Sequence, residues 1–266
     1  MHKIKTFLQY FKDFIKWGEY HYIFTSVKYI LLHRTTSSTQ IYQSSLGLFL
    51  SRKGTLDFQF ANYAYEWSVK SFVYKHLSEC DVFLDIGANI GTYAILLAKE
   101  GLRGYAFEPI KSNYDAVRIN LILNNLEDKV KVFPVALGEI SHQAEFAFDR
   151  VNTGASHLAS IQPEDEVPER EKRIDSEIVP LDSLLDQIDF KKDERIFIKI
   201  DVEGMEEKVL LGAKKFLSTY PNILMVMEAK HSGREKLVKV LNTIADFEIL
   251  DVDDLNMGVR KISNKK

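Results

Sequence analysis

From Asp81 onward the chain alternates short apolar runs with helical stretches of about ten residues, and this alternation restricts the fold more than any other feature. Val82-Phe83-Leu84, Tyr105-Ala106-Phe107, Val130 to Leu137 (broken by Pro134), Arg195 to Ile200, Ile223 to Met227 and Phe247 to Leu250 read as strands. Thr92 to Lys99, Ser112 to Asn125, Gly204 to Leu217 and Glu235 to Ile244 read as helices between them. Hairpins need only tight turns, whereas parallel neighbours need a crossover, usually a helix. The expected class is therefore α/β: a Rossmann-like, mostly parallel sheet with helices on both faces.

Four of these strands end in an acid: Asp85, Glu108, Asp201 and Glu228. In an open parallel sheet the ligand lies outside the carboxyl ends of the strands, where these acids stand. Acids after strands also serve as helix N-caps, an explanation that four in one sheet weaken. The first strand runs into Asp85-Ile86-Gly87-Ala88-Asn89-Ile90-Gly91, whose glycines permit a sharp turn and a close backbone approach. A dinucleotide fingerprint would place glycine where Asp85 stands, and a pyrophosphate beside Asp85 would be repelled. That disfavours a nicotinamide dehydrogenase. Glu108 is placed to accept both hydroxyls of a ribose, so an adenosyl group bearing a positive sulfonium suits the pair.

The run Phe83-Leu84-Asp85-Ile86-Gly87-Ala88-Asn89-Ile90-Gly91-Thr92-Tyr93, the step Phe107-Glu108-Pro109, and Lys199-Ile200-Asp201-Val202-Glu203-Gly204-Met205-Glu206, with Leu181-Asp182-Ser183-Leu184 before it, resemble the FkbM family of S-adenosylmethionine-dependent methyltransferases. The resemblance spans about residues 80–230. It implies a seven-stranded sheet of the class I methyltransferase type and O-methyl transfer to a hydroxyl of a sugar, glycan or natural product. It also implies cofactor contacts. Asp85, Gly87 and Gly91 would line the methionine and ribose side, with backbone groups of Ala88 and Asn89. Glu108 would hold the ribose hydroxyls, with Pro109 beside the adenine. The adenine pocket would include Val135, Ala136 and Leu137, where no Asp stands to meet the adenine amine.

Methyl transfer to an alcohol needs alignment of the nucleophile, exclusion of water and removal of a proton. The candidate groups are Asp201, Glu203, Glu228 and His231. Asp201 ranks first because its strand end faces the cofactor, and His231 has the ordinary pKa nearest neutrality. Glu203 either orients substrate or caps the helix beginning near Gly204. Lys199 is either a solvent lysine or the partner of one of these acids. Asp201, Glu203 and Glu228 could gather Mg²⁺, but the metal-free reading is favoured.

Composition matters mainly for what lies in front. Residues 1–60 carry eight Lys or Arg against three acids, a net of +5, whereas the whole chain has −3. The near-neutral total offers no bulk basic field for nucleic acid. The lone cysteine, Cys80, excludes an internal disulfide and a Cys-rich zinc site, and fits a reducing cytoplasm. Ile4, Phe7, Leu8, Phe11, Phe14 and Ile15 recur at helical spacing, with Lys5, Gln9, Lys12 and Lys16 opposite. Tyr22 to Leu32 is apolar but too short, and too interrupted by Lys28, to span a bilayer, which takes about 20 residues. Residues 1–34 therefore either lie on the inner face of an anionic membrane or, the favoured reading, pack on their own domain or a sister subunit of a homo-oligomer. The rival function is a membrane-peripheral or partner-binding module on a degenerate methyltransferase body, which the intact Gly loop and Glu108 argue against.

The domain reading is an N-terminal helical and aromatic extension over 1–79 and a Rossmann-like domain over 80–266. Residues 35–45 read as a loop, and Asp57 to Leu77 as aromatic-rich and helical after Tyr65. Residues 149–178 read as an insertion, its Asn152, Ser156 and His157 suited to a polyhydroxylated acceptor, with Glu164 to Glu177 as a disordered loop.

Overall fold

A computed structural model describes residues 11, 12, 14–32, 35–161 and 171–264. The expected helical positions Ile4, Phe7 and Leu8, and the run 162–170 of the insertion, lie outside the described residues. Ahead of the main sheet come helix α1 (Tyr20–Leu32), the hairpin β1 (Gln40–Gln43) and β2 (Leu48–Ser51), a short helix α2 (Asp57–Phe60) and helix α3 (Trp67–His76). Then follow β3 (Val82–Ile86), α4 (Thr92–Lys99), β4 (Arg103–Phe107), α5 (Lys111–Leu123) and β5 (Val130–Phe133). A second sheet is made from β6 (Ala136–Leu137), β7 (His142–Asp149), β8 (His157–Leu158) and β9 (Glu171–Val179). The chain returns through β10 (Ile196–Ile200), α6 (Glu206–Leu211), α7 (Lys214–Thr219), β11 (Ile223–Glu228), α8 (Arg234–Ile244), β12 (Ala245–Asp251) and β13 (Asn256–Asn264).

The main sheet has seven strands in the order β12-β13-β11-β10-β3-β4-β5, with β13 antiparallel to its neighbours. It is a doubly wound, mostly parallel sheet. The chain winds from β3 out to β5, then returns to the other side of β3 as β10. The order reverses between β3 and β10, and a crevice opens at the carboxyl ends there. Strand alternation divides the core. Val82, Leu84, Ile86, Ile198, Ile200 and Met225 face α6, α7 and α8 through Val209, Phe216 and Leu237. Phe83, Ala106, Phe197, Leu224 and Val226 face the other way, against Leu97 of α4 and Val117 of α5. Val69, Phe72 and Val73 of α3 belong to this second cluster, so the segment before residue 80 shares a core with the sheet.

Three expectations need correction. Part of 35–45 is the strand β1, paired residue by residue with β2 from Gln40–Ser51 to Gln43–Leu48. Its polar composition hid it; β2 in turn is held by Asn120 of α5 and Asn124 just past its end, whose side-chain oxygens accept the Leu50 and Leu48 N–H groups at 2.7 and 3.0 Å. Residues 171–177 are not a loop but most of β9, an eight-pair antiparallel partner of β7. Its few apolar residues made the alternation faint, and the ladder with β7 supplies the order. Gly204 to Leu217 is two helices, α6 and α7, broken at Gly212. A Cβ at Gly212 would stand 1.8 Å from the Gly138 carbonyl oxygen, so two backbones touch there.

Candidate active site

The Gly loop between β3 and α4 is shaped by backbone contacts that only small residues permit. Gly87 has φ +83°, and a Cβ there would stand 1.8 Å from the Asp201 carbonyl oxygen. The loops after β3 and β10 therefore lie against each other, tied by Asp201 N–H donating to Ile86 O at 3.0 Å. Gly87 and Ala88 both donate to Phe107 O at 3.0 Å, which joins the loop to the end of β4. Asn89 also has positive φ, a conformation Asn tolerates better than most residues.

A narrow crevice runs along these strand ends. Its lining includes Gly87, Asn89, Glu108, Pro109, Ala136 and Asp201, all expected near a cofactor. Ile86, Phe107, Val135, Leu137 and Phe146 make the rest of the wall largely apolar. Glu108 is 5% exposed. Its two oxygens accept the Asn89 and Ile110 N–H groups at 2.8 and 2.9 Å. Burial pushes its carboxyl up to about 7, against the pull of those hydrogen bonds.

A wider basin of about 690 Å³ adjoins the crevice, and Gly87, Asn89, Gly154, Asp201 and Glu203 line both. Glu228, His231, Asn152, His157 and Ala88 belong to the basin, and Ser156 to the crevice. His231 Nε2 lies 3.3 Å from a Glu203 oxygen. Burial, with Asp201 nearby, raises Glu203 to about 7; burial, with Asp201 and Glu203 nearby, raises Glu228 to about 8. One Glu228 oxygen, Oε2, is buried without a hydrogen-bond partner. Glu203, Glu228 and His231 place donor atoms within 4.8 Å of one another, a spacing open to a divalent cation.

Asp85 and Gly91 line neither cavity. Asp85 is 1% exposed and accepts the Ala94 N–H of α4 at 3.0 Å, so its carboxylate lies beneath the loop. Burial pushes it up to about 6, and Lys199 draws it back. Gly91 serves geometry: at φ +85°, its Cβ position lies 3.0 Å from a Val117 methyl. Lys199 is not a solvent lysine. It is Asp85's register partner on β10, is buried, and pairs with Asp201 Oδ2 at 2.9 Å. Burial alone would lower its pKa, but Asp201, Glu66 and Asp85 outweigh burial and raise it. Nor does Glu203 organise the turn before α6. Glu206 does, accepting Val202 and Gly204 N–H groups and the Ser232 hydroxyl.

Sequence reasoning missed the contribution of the first 79 residues. Glu66, with Phe60 and Tyr65, lines the basin, and its carboxylate accepts the Tyr93 hydroxyl at 3.0 Å. Arg52 forks onto Asp57 at 2.7 and 2.8 Å and reaches Asn113 Oδ1 at 3.0 Å. The Thr153 hydroxyl lies 3.2 Å from Asp57 Oδ1 and 3.3 Å from Asn89 Oδ1. Asn113 donates to Thr153 O at 3.1 Å. The start of the insertion is thus bound over the Gly loop. No spacing rule links positions 52, 57, 113 and 153; only the positive, acidic, amide and hydroxyl character of the four side chains hinted at pairing.

Residues 85–254 match the family model described as the methyltransferase FkbM domain. No curated protein matches the chain. Among solved structures, an FkbM methyltransferase from Methylobacillus flagellatus KT is similar at 19% identity and a TM-score of 0.45, over 69% of this chain and 44% of that one. The tRNA m1G37 methyltransferase of M. jannaschii is similar at 14% and 0.46, over 86% and 58%. A SAM-dependent methyltransferase from Aquifex aeolicus is similar at 13% and 0.43, over 74% and 91%. The chain thus spans less than half the length of the Methylobacillus protein. The matched stretch covers more than half of this chain and contains the Gly loop, Glu108 and the basin acids Asp201, Glu203 and Glu228, and so the chain belongs to the FkbM methyltransferase family.

Proposed function

We propose that this protein transfers a methyl group from S-adenosylmethionine to a hydroxyl oxygen of a sugar, glycan or natural-product acceptor. One observation carries the reading: the narrow, apolar-walled crevice beside Glu108 and the carboxylate-rich basin share a wall of Gly87, Asn89, Gly154, Asp201 and Glu203. A donor in one and an acceptor in the other would meet across that wall. The residues fit the donor. Glu108 offers a buried carboxylate at a strand end, and each of its oxygens has a second acceptor site beyond its backbone partner. Ile86, Phe107, Val135 and Leu137 offer apolar surface to a purine. Bound there, S-adenosylmethionine supplies a methyl group made electrophilic by its sulfonium.

The chain's own residues do the rest. Lys199 holds the Asp201 carboxylate in place at the junction of the two cavities. Glu228, half-buried and with one oxygen unpartnered, accepts the hydroxyl proton as the methyl group's bond to sulfur breaks, leaving the neutral thioether S-adenosylhomocysteine, and its bond to the acceptor oxygen forms. Its carboxyl is pushed up to about 8, so its ionised form, which predominates above about pH 8, is a stronger base than an ordinary carboxylate. Glu203 and His231 face the same acceptor and shuttle that proton to solvent. This chemistry uses the three side chains without a metal. Thr153 and Gly154, held over the loop, exclude water from the crevice.

The test is a calorimetric titration with S-adenosylhomocysteine, followed by mass-detected methyl transfer across hydroxyl-bearing sugars and glycosides. The expected result is S-adenosylhomocysteine binding in wild type and in Glu228→Gln alike, with O-linked methylation in wild type that the variant largely loses. Absence of binding, or methylation on nitrogen or carbon, sinks the reading.

A further inference from the structure

Helix α1 has two faces with different fates. Tyr22 is fully buried and packs with Phe14, Leu56 and Phe58, its ring 6.1 Å from that of Phe58 and 5.9 Å from that of Tyr42. Val151 of the insertion joins this cluster, and Leu56 N–H donates to Val151 O at 2.8 Å. The inner face is therefore fastened to the element that covers the crevice. The outer face carries Tyr20, Phe24 and Leu31, exposed by 62%, 76% and 73%. At 100° per residue these three fall within about 40° of one another, so they form one apolar stripe.

Among the described residues of the first 60, the exposed charge has one sign. Lys12, Lys16 and Lys53 are exposed. The described acids of the first 60 residues are both buried and engaged: Glu19 accepts the Ser45 and Tyr63 N–H groups, and Asp57 pairs with Arg52. Just before α1, Lys16 lies over the Trp17 ring at 4.9 Å, and Trp17 stacks near Trp67, which is 41% exposed. Protein interfaces are depleted of Lys, whereas helices lying in a lipid interface combine Lys with exposed aromatic and Leu residues. Thirteen residues span about 20 Å, too short to cross a bilayer, and no helix among the described residues is long and apolar enough to do so.

We propose that the outer face of α1 docks this protein onto an anionic membrane surface, with Phe24 and Leu31 inserted between headgroups and the lysines held by lipid phosphates. The test is flotation of the full chain with neutral phosphatidylcholine vesicles and with vesicles containing a third phosphatidylglycerol. Binding is expected only to the anionic vesicles, weakening as salt rises. Phe24→Ser with Leu31→Ser lowers the partition coefficient on the order of 100-fold, from the loss of two inserted apolar side chains. Lys12→Glu with Lys16→Glu, which leaves the stripe intact, lowers it at least about tenfold. Unchanged affinity for S-adenosylhomocysteine and unchanged thermal unfolding show that the variants fold. Failure to bind either vesicle, or equal binding to both, overturns the proposal. So does a concentration-dependent dimer in solution that the Ser pair abolishes, because a second copy of the chain would then cover the stripe.

Discussion

Glu108→Gln should separate stability from cofactor binding. The carboxyl is buried and sits at about 7 instead of the ordinary 4.5. At 1.36 kcal/mol per pH unit, keeping it ionised in the fold costs about 3 kcal/mol. The folded value lies above the unfolded one, so the folded state binds the proton more tightly. The cost is therefore absent below about pH 4.5 and complete above about pH 7.5. Gln removes it. Gln also leaves one of the Asn89 and Ile110 N–H groups facing an amide NH₂, which costs about 1–3 kcal/mol at every pH. In urea denaturation the variant should thus gain about 3 kcal/mol relative to wild type between pH 4.5 and pH 8. Calorimetry with S-adenosylhomocysteine at pH 8 should show affinity falling about 10- to 150-fold, the loss of a charge-assisted hydrogen bond to the ribose. Unchanged affinity would refute the ribose role. A stability difference that does not vary with pH would refute the buried-charge reasoning.

Three further substitutions probe the frame of the site. Gly87→Ala would drive a methyl to 1.8 Å from the Asp201 carbonyl and strain a positive φ, so it should destabilise by about 3 kcal/mol or more and abolish cofactor binding, as read by thermal unfolding and calorimetry. Near-native melting would mean the two loops are not in contact. Asp57→Ala would leave the half-buried Arg52 guanidinium unpaired and free the Thr153 hydroxyl; about 3–5 kcal/mol of stability should be lost in denaturant unfolding. A loss under about 1 kcal/mol would show the pair to be surface-like. Glu228→Gln should lower kcat about 10²- to 10⁴-fold with S-adenosylhomocysteine affinity intact; if kcat holds, the proton goes elsewhere.

The legible parts of this molecule were the ones written as local periodicity. Runs such as Phe197-Ile198 and Leu224-Met225 announce buried strands because a parallel sheet covered on both faces has no polar side to show. The place of Asp85, Gly87, Glu108 and Asp201 along the sheet's edge could be read because the sequence marks strand ends by the change from apolar run to turn. Their spacing along the chain translates directly into position along one edge of the sheet. By contrast β1 and β9 went unread. Each pairs antiparallel along its length, β1 with β2 and β9 with β7, and leaves much of its surface in solvent; such strands are ordered by their partners more than by their own composition.

What the sequence determined by itself was the α/β architecture, the Gly loop and the row of acids along the sheet's edge, all of which depend on neighbours a few residues apart. Tertiary structure alone decided what each acid became. It set Lys199 against both Asp85 and Asp201, put Asp85 beneath the loop instead of in the crevice, and left a Glu228 oxygen without a partner. It also carried Glu66 and the Arg52–Asp57 pair from the first 79 residues into the wall and frame of the site. The reason is physical. A carboxylate's pKa and reach depend on burial and on charges within a few ångströms, and those neighbours come from strands and loops far apart in the chain.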